Sequence, residues 1–185
     1  MVYKIFIFAL LAILGFILAT LGLISFPVFH NINYFWPAAV VQAVGSILFG
    51  WVGVIAGTVF PIFSNFVTDS SYQSVILFTP ANFIQSCLPL LILKKLRPNL
   101  VLKGTKDFIL FSILVALIPQ LIGGFISSSL LFLLGELTTA SDFSKMLLLW
   151  IFDSVPWIIL FGYPLLKIFV PILKESGYLY SLNKQ

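Results

Sequence analysis

Charge is nearly excluded from six long apolar stretches of this chain, and that exclusion decides the solvent in which it folds. Of 185 residues, 61% are hydrophobic and 9% are charged, whereas a soluble domain carries about 25% charged residues. A water-soluble fold could not cover so much apolar surface. A bilayer core about 30 Å thick takes about 20 apolar residues per helix. The stretches predict spans at approximately 3–26, 36–49, 52–66, 75–93, 108–134 and 146–173. The expected fold is a single all-α integral membrane domain, a bundle of six transmembrane helices.

The remaining charges orient that bundle. Nine of the ten Lys and Arg residues fall on one side of the six spans: Lys4, Lys94, Lys95, Arg97, Lys103, Lys106, Lys167, Lys174 and Lys184. The tenth, Lys145, sits at the mouth of the last span. The opposite loops carry His30, Asp69, Glu136 and Asp142. Cytoplasmic loops collect Lys and Arg, so both termini are predicted to be cytoplasmic in a multi-pass protein of the cell membrane. The net charge of +4 is spread over several loops and forms no stripe interleaved with aromatics, which argues against nucleic acid as a partner.

The connections follow from the breakers. Span 1 reads as a retained helix, because its apolar run is about twice that of a signal peptide. The segment Pro27 to Phe35 is an external loop, and Trp36-Pro37 opens span 2. Gly50-Trp51 turns into span 3. Asn65 to Gln73 is a second external loop, and Lys94 to Asp107 is the longest cytoplasmic one. Glu136 to Ser144 is the third external loop. Pro156 and Pro164 fall inside span 6.

Polar residues within spans are costly and mark candidate sites. Asp153 is the costliest, roughly 10–12 Å below the outer surface at 1.5 Å per residue. No Lys or Arg stands at matching depth in another span. Such a group is protonated, exposed to water in a cavity or paired with a ligand, or else it accepts a hydrogen bond from a neighbouring helix. Trp157 follows at i+4 on the same face, as a ligand platform or as packing beside Pro156. Asn82 and Gln85 place two amides on one face of span 4, for a ligand or for gluing helices. Gln120 lies in mid-span 5, after Pro119. Trp36, Asn65 and Asp69 line the external mouths of spans 2 and 3, and Gln42 is deeper in span 2. A mostly apolar cavity with a few fixed polar groups is the usual form of a small-molecule site. The predicted substrate-binding set is therefore Trp36, Asn65, Asn82, Gln85, Gln120, Asp153 and Trp157.

Other chemistry is unsupported by the residues. Cys87 and His30 are single, so no intrachain disulfide, metal site or cofactor is expected. No catalytic residue is expected either, since hydrolase triads, zinc-protease motifs and phosphate-binding loops are missing. Small residues recur at four-residue spacing as Gly53-Val-Ile-Ala-Gly57 and as Gly15-Phe-Ile-Leu-Ala19, with Ala12 on a nearby face. Such stripes let backbones approach closely, within the chain or against a partner protein.

The compact six-span plan, Leu48-Phe-Gly-Trp-Val-Gly-Val-Ile-Ala-Gly57, Asn65, Asp69 and Pro80-Ala-Asn-Phe83 together resemble the substrate-binding components of energy-coupling-factor vitamin transporters. That resemblance implies a vitamin-like micronutrient bound in the external half. It also implies a transmembrane coupling protein with two ATPase subunits, met through the cytoplasmic face and span 1, with Ala12, Gly15 and Ala19 nearest to the family's small-residue motif. A second pattern, Phe35-Trp-Pro-Ala38, Ser141-Asp-Phe, Trp150-Ile-Phe-Asp153 and Pro164-Leu-Leu166, resembles membrane-associated sensor domains that precede kinase and cyclase outputs. A free-standing sensor would need a separate effector. A proton-coupled carrier is the third reading.

Overall fold

The computed structural model describes residues 2–25, 27–29, 32–33, 35–68, 72–96, 102 and 104–178. His30, Asp69, Arg97, Lys103 and Lys184 lie outside the described residues. The fold is all-α, with helices α1 (Val2–Ser25), α2 (Ala39–Phe49), α3 (Trp51–Val67), α4 (Tyr72–Leu96), α5 (Thr105–Leu133) and α6 (Ala140–Glu175). A two-stranded antiparallel hairpin, β1 (Pro27–Phe29) and β2 (Ile32–Asn33), links α1 to α2. Sequence reading treats that segment as a plain loop.

Four helices, α1, α4, α5 and α6, are long and apolar enough to cross a membrane. Their outer faces carry exposed Ile13, Ile17, Phe125, Leu133, Phe152 and Leu160, an apolar surface that a soluble monomer does not present. The other two differ. The 17 residues of α3 rise about 26 Å, and the 11 residues of α2 only about 17 Å. The expected span 2 is therefore too short to cross a bilayer alone. Every residue of α2 from Ala39 to Leu48 is buried, as expected of a helix that is apolar all round.

The other helices surround α2. In order, α1 packs on α3, α3 on α4, α4 on α5 and α5 on α6, and α2 touches α1, α3, α4 and α6. The hairpin joins the ends of this arc, because β2 packs on both α1 and α6. A single residue reverses the chain between α2 and α3. Gly50 takes φ 62°, a region that favours glycine, and its N–H closes α2 on the Ser46 carbonyl at 2.8 Å. Next to it the α2–α3 crossing is close: a side chain on Gly53 would fall on the Gly45 carbonyl and the Ser46 amide.

Ring contacts show which helix ends lie together. Tyr3 meets Tyr178, with centroids 4.8 Å apart, while Phe66 meets Tyr72 at 5.3 Å and Phe132 meets Phe143 at 6.2 Å. The helices run alternately up and down. Lys4, Lys94, Lys95, Lys106 and Lys174 come to one end, and Glu136, Asp142 and Lys145 to the other.

The last helix begins at Ala140, six residues before the expected start at Met146. Thr139 accepts from the Asp142 amide at 3.1 Å, and the Asp142 carboxylate accepts from the Thr139 amide at 3.2 Å. This capping box satisfies two backbone N–H groups at the helix start, so the polar segment 140–145 is helical. Thr139→Ala should cost about 1 kcal/mol and fray this turn, read as faster amide exchange at residues 140–145. Unchanged exchange there would show that the box does not hold the turn.

Two wide π turns interrupt the long helices, Ser112–Leu117 in α5 and Ile158–Gly162 in α6. Pro119 follows the first, and Pro156 and Pro164 flank the second. A proline removes an N–H and crowds the carbonyl four residues back, and a widened turn accommodates that misfit. The two π turns touch each other, and the second also touches α2.

Candidate functional site

The centre of the bundle is polar. Gln42, expected deep in span 2 with no assigned face, is fully buried in α2. Its Nε2 donates to the Gly57 carbonyl and to Asn82 Oδ1, both at 3.0 Å. One side chain thus clamps α2 to α3 and α4. Asn82 completes the link by donating from Nδ2 to the Phe78 carbonyl at 3.0 Å. Gly57 permits the contact, since a side chain there would collide with Ser86 Oγ and crowd the Gln42 backbone. Gln42 carries a role that sequence reading missed. The available signal was its isolation as the one amide in a helix whose other residues, Ser46 apart, are apolar or glycine.

Gln85 lies one turn beyond Asn82 and is buried, as is Gln120 on α5. Gln85 Nε2 and Gln120 Oε1 have no hydrogen-bond partner, and the same holds for Gln42 Oε1, Ser127 Oγ, Ser128 Oγ and Trp150 Nε1. An unmade hydrogen bond at a buried group costs about 1–3 kcal/mol. Helices α2, α4, α5 and α6 therefore bring to the core polar atoms that the fold itself leaves unsatisfied. Ser127, Ser128 and Trp150 are additions to the predicted set.

A second group forms where α2 meets α6. Asp153 is 6% exposed and is the one charged side chain buried among the described residues. Its Oδ1 accepts a hydrogen bond from Ser154 Oγ. The backbone N–H of Trp36 donates to the Asp153 carbonyl at 3.0 Å, which ties the entrance of α2 to α6. Trp157 is half-buried, edge-on to Phe35 at 4.5 Å and stacked on Phe161 at 5.6 Å. With α6 starting at Ala140, Asp153 stands about 20 Å from the helix start at 1.5 Å per residue, past the polar first turns 140–145. Trp150 connects the two groups: it precedes Asp153 by one turn, packs on Phe78 at 5.5 Å and faces Gly124.

The remaining predicted residues are placed elsewhere. Asn65, near the end of α3, donates from Nδ2 to the Pro61 carbonyl of its own helix at 2.8 Å. Gly15 and Ala19 are buried within the chain, with Gly15 lying against the ring of Phe60 on α3. Ala12 is half-buried. The small-residue stripe of α1 is thus occupied by internal packing, and the outward face of α1 is Ile13, Ile17, Leu21 and Ile24. One cleft of about 190 Å³ opens at the lysine-bearing end, between Tyr3, Lys4, Ile7, Phe49, Val52 and Tyr178. None of the predicted site residues lines it.

Fold and site together define a helical membrane protein with a polar centre. Comparison with protein-family models, curated proteins and solved structures returns no match.

Proposed function

We propose that the protein is a membrane-embedded binding subunit that captures a small organic micronutrient from outside the cell and delivers it inward with an ATP-driven partner complex. The observation that carries this reading is the set of buried donors and acceptors on α2, α4, α5 and α6 that the fold leaves unpaired. A purely structural core would do better with apolar side chains at those positions, because orphaned polar groups only destabilise it. A ligand with matching groups turns that cost into affinity.

The lysine-bearing end is assigned to the cytoplasm by the positive-inside rule. Tyr3 and Tyr178 meet at that end, so this reading puts both termini inside and the hairpin outside, in the plasma membrane. The hairpin, bridging α1 and α6 above the short α2, then serves as the lid, and Asp153 and Trp157 orient the ligand beneath it. The basic cytoplasmic end faces the coupling protein and its two ATPases.

Thermal-shift screening of the purified protein against vitamins and nucleobases tests the binding step. A ligand at 100 times its Kd adds about 2.7 kcal/mol, or roughly 5–10 °C in Tm for a chain of this size. No shift across the panel would contradict the reading. Co-purification with an ATPase pair supports transport, and a kinase or cyclase in its place would support the sensor reading.

A further inference from the structure

Building on the proposal that this chain binds a small molecule, we infer that the ligand is read through an uncharged, amide-like edge at a node around Gly123 and Gly124. Five unpartnered polar groups lie along this stretch of α5 and on the α4 and α6 side chains packed against it. A Cβ on Gly123 would stand 2.7 Å from Gln85 Nε2, so the Gln85 amide lies directly on the α5 backbone. A Cβ on Gly124 would stand 3.1 Å from Trp150 Cβ and Cγ, so the indole of α6 reaches the adjacent residue. Gln120 precedes these glycines by one turn, and Ser127 and Ser128 follow them by one turn. Residues three and four apart share a helix face, and all three are buried. From Gln120 to Ser128 the node extends about 12 Å along α5.

The chemistry of the node selects the ligand. Gln85 Nε2 and Trp150 Nε1 are donors, Gln120 Oε1 is an acceptor, and the two hydroxyls serve as either. A partner must therefore present N–H and C=O groups side by side, as lactams, ureides, imides and carboxamides do. Among the described residues no Lys, Arg or His is buried, and the one buried acidic side chain is Asp153, on a neighbouring turn of α6. A carboxylate or phosphate placed at the node would be a buried, unpaired anion, which is strongly disfavoured. The node discriminates against charge as well as recognising an amide.

The test uses purified full-length protein in detergent, with nicotinamide and 2-imidazolidinone as amide probes and nicotinate as the charged counterpart of the first. Wild-type protein should bind the amide probes, and nicotinate at least 10-fold more weakly. Gln85→Leu and Gln120→Leu remove an orphaned group each, so both should keep or raise the ligand-free Tm while weakening the amide probes at least 10-fold. That opposite movement separates ligand reading from structural support. Lower Tm with unchanged probe binding would mean that the node is a structural element holding ordered water only, and would overturn the inference. Preference for nicotinate would overturn it without any variant, whatever the fate of the leucine proteins. A vitamin-panel hit lacking an amide edge would overturn it while leaving the proposed function standing. No ligand in either experiment would bring down both.

Discussion

Gly53→Val should leave little or no folded protein in the membrane. The α2–α3 crossing brings Gly53 onto the Gly45 carbonyl and the Ser46 amide. The obstacle to a side chain there is main chain, which cannot rotate aside as a side chain can. Overpacking a close-packed core costs roughly 3 kcal/mol or more at the upper end of its range. Helix α2 is buried all round and fixed by the one-residue turn at Gly50, so it cannot shift without disturbing α1, α3, α4 and α6 together. Alanine at the same position should already reduce the yield. Gly104→Ala is the control, since nothing lies within 4 Å of a Cβ there. The measurement is the monodisperse fraction after detergent extraction, read by fluorescence-detected size exclusion. Equal monodisperse yields for Gly53→Val and Gly104→Ala would contradict the packing described for α2 and α3.

The second large effect concerns binding and not folding. Asp153→Asn keeps an acceptor oxygen for Ser154 Oγ and leaves the backbone bond from Trp36 untouched, so the fold should survive with a small change in Tm. What changes is the second carboxyl oxygen beside Trp157, which becomes an NH2 that can only donate. A buried polar group left facing the wrong partner costs about 1–3 kcal/mol, so affinity for the native ligand should fall about 10-fold. Asp153→Ala, which also strips Ser154 of its acceptor, should lower both affinity and stability. An Asn variant that binds as tightly as wild type would remove Asp153 from the site.

Much of the architecture is legible from the chain because lipid leaves few options. With no water to satisfy backbone groups, apolar segments of this kind fold as helices, and the four long ones are read directly from their hydropathy. The failures are local and have local causes. An apolar run looks the same whether its helix faces lipid or is enclosed by other helices, so the shortness of span 36–49 was legible but its central position was not. The segment 140–145 is polar and reads as loop, although the Thr139–Asp142 capping box makes it helix. The π turns follow from how prolines are accommodated, which depends on neighbouring helices.

The site divides in the same way. Asn82, Gln85, Gln120 and Asp153 stand out because polar groups in apolar spans are expensive. Their partners do not stand out, since the bond from Gln42 to Asn82 joins residues 40 positions apart. Ser127 and Ser128 are inconspicuous in sequence because serine is tolerated in membrane helices. Only their burial beside Gly123 and Gly124 draws them into the node. The small-residue stripe of α1 favoured internal packing over a partner, and the Phe60 ring occupies it at Gly15.

The central claim is that a small organic molecule occupies the polar centre of this bundle. The most direct test is mass spectrometry of compounds released on denaturing protein purified from its native membrane in mild detergent. Wild-type protein should release one polar organic compound approaching one molecule per chain, and Asp153→Asn and Gln85→Leu should each release at least about 10-fold less, as expected for a loss of about 1.4 kcal/mol or more in binding. Indistinguishable release profiles from wild type and both variants would contradict it.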